Sequence, residues 1–460
     1  MFKKVKHIHM VGIGGSGMNG IAEVLINLGY KVTGSDMKKT KITLRLEELG
    51  AEIIYEHKPE NISNADVVVI STAINTENPE LKEAVEKKIP IIPRAEMLAE
   101  IMRMKYAVTI AGSHGKTTTT SLIASILANA NMDPLVVNGG ILNSLNSSVR
   151  MGKGELVVAE ADESDGSFLL LSPTLTVITN IDKEHLDYYK TMDALREAYI
   201  KFVNKIPFYG CAALCLDDEN IQSIIPHIKK KYFTYGLKTQ ADIKASNIQF
   251  KATKSEYEIT AFGKNLGKVV LNVPGIHNIC NSMAAFGIGL ELGIEPEVIK
   301  QGLMEYSGVR RRFHIKGEFG GIMVVDDYGH HPSEIQATLN AARTGWNRRL
   351  IVIFQLHRYS RTLLLEEEFK RSFYQADILI ITEIYPAGEK PIPGVSALNI
   401  AEGVKKHGHK NVLFVPDKAK IIETLLPLLK KDDIVITLGA GDVTYISDEL
   451  VEKLKIKYPC

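Results

Sequence analysis

The chain has 460 residues, too many for one ordinary hydrophobic core, so two to four domains are expected. Its 55 basic and 54 acidic residues leave a formal charge of +1, which gives no whole-protein field to attract nucleic acid or an anionic membrane surface. Four cysteines, Cys211, Cys215, Cys280 and Cys460, are too few for a disulfide framework and lack zinc-type pairing, and no apolar run reaches the ~20 residues that span a bilayer. The opening "MFKKVKHIHMVGIGG" reads as the first strand of a fold rather than a signal peptide, so a cytoplasmic protein with no membrane or nucleic-acid partner is expected.

From the N-terminus, "HIHMVGI" and "YKVTGSD" read as strands with the helix "GMNGIAEVLINLG" between them. "DVVVIST" and "IPIIP" follow, separated by the helix "NPELKEAVEKK", and this βαβ rhythm predicts a parallel sheet covered by helices. A second strand–glycine loop–helix unit starts at "YAVTIAG", which places a domain boundary near residue 104. The middle region carries the short strands "ELVVAEADESD", "LTVITNID" and "CAALCLDDEN", each ending in a polar cluster. The alternating stretch 242–275 predicts added antiparallel strands, and "NICNSMAAFGIGLELG" a closing helix. A third alternation runs from "GIMVVDD" through "DIVITLGAG", with its boundary near 315. The predicted architecture is α/β in three domains, 1–104, 105–314 and 315–460, the first and last Rossmann-like and the central one built on a P-loop.

Two glycine loops and three polar clusters carry the chemistry. "GIGGSGM" has the G-x-G-x-x-G spacing that lets a helix N-terminus meet a diphosphate. "AGSHGKTTTT" places Gly112 and Gly115 before Lys116 and Thr117, so that backbone N–H groups, a full positive charge and a hydroxyl for magnesium converge on a phosphate. A strict Walker loop would have glycine at 110, where this chain has isoleucine, so the loop is a shortened variant. Glu160, Asp162, Glu163 and Asp165 end one strand, and Asn180, Asp182, Glu184, His185 and Asp187 end another. Carboxylates beside a triphosphate repel it unless a divalent cation intervenes, although histidine is an uncommon magnesium ligand. In "VVDDYGHHPSEI" and "FQLHRYSRT", Tyr328, His330, His331, His357, Arg358 and Arg361 follow apolar strands and point to a site for a carboxylate and an amine.

Taken together, "GIGGSGM", "AGSHGKTTTT", "EADESDGSF", "TNIDKEHLD", "PGIHNICN", "GVRRRF", "VDDYGHHP", "HRYSRT", "YPAGE" and "GAGD" resemble the Mur ligase family of peptidoglycan synthesis, in family order and across essentially the whole chain. The resemblance implies that ATP phosphorylates the lactyl carboxylate of UDP-N-acetylmuramate and that the amine of L-alanine attacks the acyl phosphate. By position it implies that Gly112, Ser113, His114, Gly115, Lys116, Thr117 and Thr118 hold ATP, with His277, Asn278 and Asn281 on the adenine side and Asp327 at the ribose. Thr117 and Glu160 would serve one magnesium ion, or manganese in its place, and His185 a second. Arg312 would reach the phosphates, and Tyr328, His357 and Arg358 would surround L-alanine. Gly12, Gly14, Gly15, Ser16 and Gly17, with Asp36 ending the next strand, would hold the UDP-sugar. Monomer and homodimer both fit. Leu356 and Glu184 depart from the usual proline and aspartate, which bears on fine geometry rather than on reaction class. The rivals are a recycling ligase that attaches a peptide to the same sugar nucleotide, an NAD-dependent oxidoreductase and a non-enzymatic nucleotide switch.

Overall fold

The computed structural model describes residues 4–458 apart from 16, 72, 143–146 and 239, with the backbone alone for 139–142, 147 and 148. Among these residues the chain forms three α/β layers around three sheets.

The first sheet has five parallel strands in the order Glu52–Ile54, Lys31–Ser35, His7–Val11, Val67–Ile70, Ile91–Pro93. Chain direction across the sheet reverses beside His7–Val11, whose C-terminal end leads into the first glycine loop, and such a switch point is where doubly wound sheets bind ligands. All five residues of that strand are buried, as a central parallel strand covered on both faces requires. Glu52–Ile54, only three residues long and at the sheet edge, is a strand that hydrophobic periodicity had not marked.

The central sheet runs Ser147–Arg150, Leu135–Leu142, Leu156–Glu160, Tyr106–Ala111, Leu175–Ile178, Cys211–Cys215, Tyr232–Gly236. From Leu135–Leu142 onward the pairing is parallel, so the loops after Tyr106–Ala111, Leu156–Glu160 and Leu175–Ile178 emerge side by side. The alternating stretch forms three strands, Ile243–Lys251, Lys254–Ala261 and Lys264–Leu271, and the first of them joins Tyr232–Gly236 in parallel. Cys211 and Cys215 are free thiols within this core, and burial pushes them up to about 11 and about 12, as incidental thiols require.

The third sheet has the order His314–Phe319, Ile322–Asp327, Asp433–Leu438, Arg349–His357, Ile378–Tyr385, Val412–Phe414. Only the first strand is antiparallel to its neighbour. By compactness the chain groups into two units. One comprises Met1–Ser246, Glu258–Gly267 and Cys280–Tyr306, and the other Asn247–Tyr257, Lys268–Ile279 and Ser307–Cys460.

Candidate active site

In the first glycine loop, Gly12 takes a left-handed φ of +73°, and its amide and that of Ile13 donate to the Ser35 carbonyl at 2.8 and 3.1 Å. The turn is locked from the second strand by Asp36, whose carboxylate accepts the Gly14 amide at 2.9 Å and the Lys38 amide at 3.1 Å. A Cβ on Gly14 would lie 2.8 Å from Asp36 Oδ2, so this position excludes a side chain. The helix Met18–Asn27 that follows has Gly17 as N-cap and no side-chain cap, whereas Thr40 and Thr191 cap the helices Lys41–Glu48 and Met192–Val203. The Met18 and Asn19 amides donate to the Gly15 carbonyl at 3.0 Å each, and a glycine-lined helix start without a side-chain cap leaves its positive end open to an anion. Ser16 lies outside the described residues.

The second loop turns from strand Tyr106–Ala111 into helix Lys116–Asn129, again with a glycine N-cap, Gly115, at φ +83° and no side-chain cap. Gly112 has φ +129°, and a Cβ there would meet Thr179 Oγ1 at 2.1 Å. The neighbouring strand's loop clamps the P-loop from outside. Asn180 Oδ1 accepts the His114 amide at 2.8 Å, Asn180 Nδ2 and Thr179 Oγ1 donate to the His114 carbonyl at 3.0 and 2.6 Å, and the Asp182 amide donates to Ser113 Oγ at 2.8 Å. A Cβ on Gly115 would come within 2.7 Å of Asn281 Oδ1, which places Asn281 against the loop. Thr117 and Thr118 are buried in the first turn of the helix.

Lys116 donates to both oxygens of Glu163 at 2.9 Å each and to the Gly112 carbonyl at 2.5 Å. Burial opposes its charge, but Glu163, Asp162 and Glu160 outweigh that and hold its pKa above the ordinary lysine value. Asp162 is pulled below the usual carboxylate range against the cost of burial, by Lys116, Ser164 and Arg94. His185, at a left-handed φ of +58°, lies 3.5 Å from Glu163 and 3.7 Å from Glu184. Burial lowers its pKa, but these carboxylates win and raise it. Glu163, Glu184 and His185 offer ligand atoms all within 4.8 Å of one another, a donor set of carboxylate oxygen with one imidazole that could hold a divalent cation. Glu160 pairs with Ile110 across the strands, one step from the P-loop.

In the other unit, Arg312, Asp327, Tyr328, His357 and Arg358 fall at strand ends and in the loops beside them, while His277 lies in the first turn of helix Ile276–Glu291. The Asp327 carboxylate accepts the Phe313 and Gly329 amides at 2.7 Å each, and burial pushes it up to about 6 against Arg312 and those amides. His277 is lowered to about 4, by burial first and then by Arg312, and its buried Nδ1 has no hydrogen-bond partner among the described residues. Arg312 lies 3.3 Å from Glu334 and, like Arg311, faces the Tyr328 ring, at 5.3 and 4.8 Å. His357 stacks on Tyr385 at 5.6 Å, and its Nδ1 faces Arg361 Nη1 at 3.2 Å. A guanidinium only donates, so Nδ1 accepts and the imidazole proton sits on Nε2. Burial, then His330, Arg361 and Arg358, lowers this histidine to about 3. Arg358 begins the next helix at φ +70°, ψ +139°, backbone normally left to glycine, which fixes the direction in which its side chain leaves the strand. Asn278 bonds its own turn, donating to the Pro274 carbonyl at 2.7 Å.

The sequence reading did not single out Glu163 as the partner of Lys116, Arg94 beside Asp162, or Tyr385 beneath His357. Glu163 stood in a run of four acids, where nothing local separates the one that turns inward.

Parallel sheets, a P-loop lysine ringed by carboxylates and a separate arginine–histidine cluster define a nucleotide-dependent α/β enzyme of the phosphate-activating kind. Three family models match the chain in sequence: the Mur ligase family catalytic domain over residues 7–106, the Mur ligase middle domain over 110–289, and the Mur ligase glutamate ligase domain over 311–441. The chain therefore belongs to the Mur ligase family, ATP-dependent ligases that form amide bonds. It is 56% identical over 455 residues to a UDP-N-acetylmuramate–L-alanine ligase of Geotalea uraniireducens, covering 99% of both chains. It is 53% identical over 452 residues to the protein of that name from Desulfatibacillum aliphaticivorans, covering 98% of this chain and 99% of that one. Among solved structures, the UDP-N-acetylmuramate–alanine ligase of Thermotoga maritima aligns with a TM-score of 0.83 at 29% identity, over 98% of this chain and 100% of that one. A murein peptide ligase of Psychrobacter arcticus shares the fold, with a TM-score of 0.70 at 22% identity over 98% of each chain.

Proposed function

We propose that the chain joins L-alanine to the lactyl carboxylate of UDP-N-acetylmuramate at the expense of ATP, through an acyl phosphate, in peptidoglycan precursor synthesis. The products are UDP-N-acetylmuramoyl-L-alanine, ADP and phosphate. The observation that carries the reading is the Lys116 ammonium held by Glu163 and the Gly112 carbonyl at the mouth of a glycine-lined loop. It is a cation fixed before any phosphate arrives, so little reorganisation remains for the transfer. Full-length relatives that carry the name of this ligase support the choice of substrates.

In this reading Gly112 to Thr118 cradle the triphosphate, Asn281 and the open Nδ1 of His277 meet the adenine, and the Asp327 carboxylate meets the ribose. Arg312 offsets phosphate charge. A magnesium or manganese ion held by Thr117 and Glu160, and a second by His185 with Glu163 and Glu184, would neutralise the charge that builds between carboxylate and triphosphate. The glycine loop at residues 12–17, steadied by Asp36, holds the UDP-sugar. Arg358 takes the carboxylate of L-alanine, while His357 donates from Nε2 and Tyr328 walls the site. No protein nucleophile is needed, because the substrate's amine attacks.

We place the enzyme in the cytoplasm, as a monomer or homodimer, with domain limits 1–104, 105–314 and 315–460. No helix among the described residues is long and apolar enough to cross a membrane. The test is phosphate release with ATP, UDP-N-acetylmuramate and each small amino acid in turn, with a tripeptide alongside. Turnover fastest with L-alanine is expected, and faster turnover with the tripeptide would replace this reading by peptide recycling.

A further inference from the structure

Arg94 opens the helix Arg94–Met102 and belongs to neither glycine loop, yet its guanidinium lies over the first of them and reaches the acidic cluster that follows strand Leu156–Glu160. A Cβ built on Gly17 would stand 2.1 Å from Arg94 Nη1, 2.7 Å from Cζ and 2.9 Å from Cδ. The backbone at Gly17 has φ −101°, which any residue adopts, and the nearest atoms a side chain there would meet are those of the arginine lodged over it. On its far side one nitrogen, Nη2, extends to Asp162 Oδ2 at 3.3 Å, its one hydrogen bond among the described residues. That pair is long, single-pronged and open to water, with side chains 27% and 45% exposed, so it holds the guanidinium weakly. The helix itself is seated against the short helix Ser167–Leu170 that follows the same acidic cluster, which fixes where the side chain starts. A planar fork matched to two anionic oxygens thus lies along the first glycine loop with most of its donors unspent.

We propose that Arg94 is a substrate-binding residue of this enzyme: its guanidinium forks onto the diphosphate of the sugar nucleotide and rests on Asp162 until that substrate arrives. The proposal rests on the reading of the first loop as the UDP-sugar site. Three atoms of the side chain stand over Gly17 and only one nitrogen points to the acidic cluster, so the ligand it meets is the one the loop holds. Arg94 would then act on the binding of the acid to be activated and leave ATP binding alone.

Calorimetric titration of the full chain tests this with UDP-N-acetylmuramate, with UDP-N-acetylglucosamine, which has the same diphosphate and no lactyl carboxylate, and with ATP. Arg94→Gln should weaken both sugar nucleotides about 10- to 100-fold, the range for losing hydrogen bonds to a charged group, and leave ATP unchanged. Arg94→Lys, which keeps the charge without the fork, should fall between, and it carries the same comparison if the glutamine variant does not fold. Wild-type affinity for both sugar nucleotides in the variant would overturn the proposal. So would a loss confined to UDP-N-acetylmuramate, which would move Arg94 to the carboxylate, or an equal loss for ATP, which would mark general damage. A wild-type chain that binds neither sugar nucleotide would sink the reading of the loop itself.

Discussion

Lys116 and Glu163 form a pair whose side chains are only 17% and 1% exposed, so each is the other's main means of carrying charge away from water. Removing one partner of such a pair costs about 3–5 kcal/mol, because it strands the other. Lys116→Met should therefore both abolish ligation and lower the denaturant midpoint, while Lys116→Met with Glu163→Gln should recover much of the stability and none of the activity. A double variant as unstable as the single one would show that Glu163 is not what the lysine balances. At His357 the same kind of reasoning gives a sign with pH. Its folded pKa is about 3 against an ordinary value near 6.5, so between these the unfolded chain binds a proton the folded one refuses, and stability falls as pH drops through that window. His277, at about 4, acts in the same direction, while Asp327, raised to about 6, opposes them by taking its proton in the folded state first. Urea midpoints measured at pH 7 and pH 5 should differ less in His357→Gln than in wild type. An unchanged difference would mean that this histidine is not held neutral. Because it stays neutral throughout, kcat/KM for L-alanine should show no limb from His357 between pH 5 and 8, which a pH–rate profile reads directly.

At the scale of elements, the two phosphate cradles were legible because glycine spacing, the strand before and the helix after are all written in adjacent residues. Gly112, Gly115 and Lys116 needed no tertiary information, and at the two glycines the structure shows why no other residue fits well: positive φ and little room for a Cβ. Gly115→Ala should cost about 1–3 kcal/mol from backbone strain and contact with Asn281, with loss of ATP binding by calorimetry. Normal ATP affinity in a folded variant would mean that the loop does not hold phosphate in this conformation. What the sequence could not show were elements and partners defined by distant chain. Glu52–Ile54 and Ser147–Arg150 are strands only because a longer neighbour supplies their hydrogen bonds. Glu163 and Arg94 acquire their roles from residues 47 and 68 positions away. Arg361 fixes the tautomer of His357 from one helical turn along, yet the spacing alone does not say which way either side chain turns.

For the molecule as a whole, alternating strands and helices predicted three α/β domains, and three sheets are what form. Compactness divides the chain differently from sheet count. The unit that contains residues 307–460 also draws in Asn247–Tyr257 and Lys268–Ile279, so the chain passes between the units five times, at 246/247, 257/258, 267/268, 279/280 and 306/307. These excursions make real contacts within their unit: the Ala252 amide donates to the Gly345 carbonyl at 3.1 Å, Ser255 Oγ donates to the Val273 carbonyl at 2.9 Å, and a Cβ on Gly275 would meet Ala341 at 3.0 Å. A chain begun at 307 would have the complete third sheet and yet expose the surface that 247–257 and 268–279 cover, including the flank of helix Pro332–Gly345. Such a fragment should therefore unfold at lower denaturant than the same region in the full chain, by an amount that a peptide spanning 268–279 added in excess partly restores. Unfolding midpoints followed by the fluorescence of Trp346, the chain's one tryptophan, report on this region alone. Equal midpoints for fragment and full chain would show that the third sheet is self-sufficient and that the excursions add nothing to its stability.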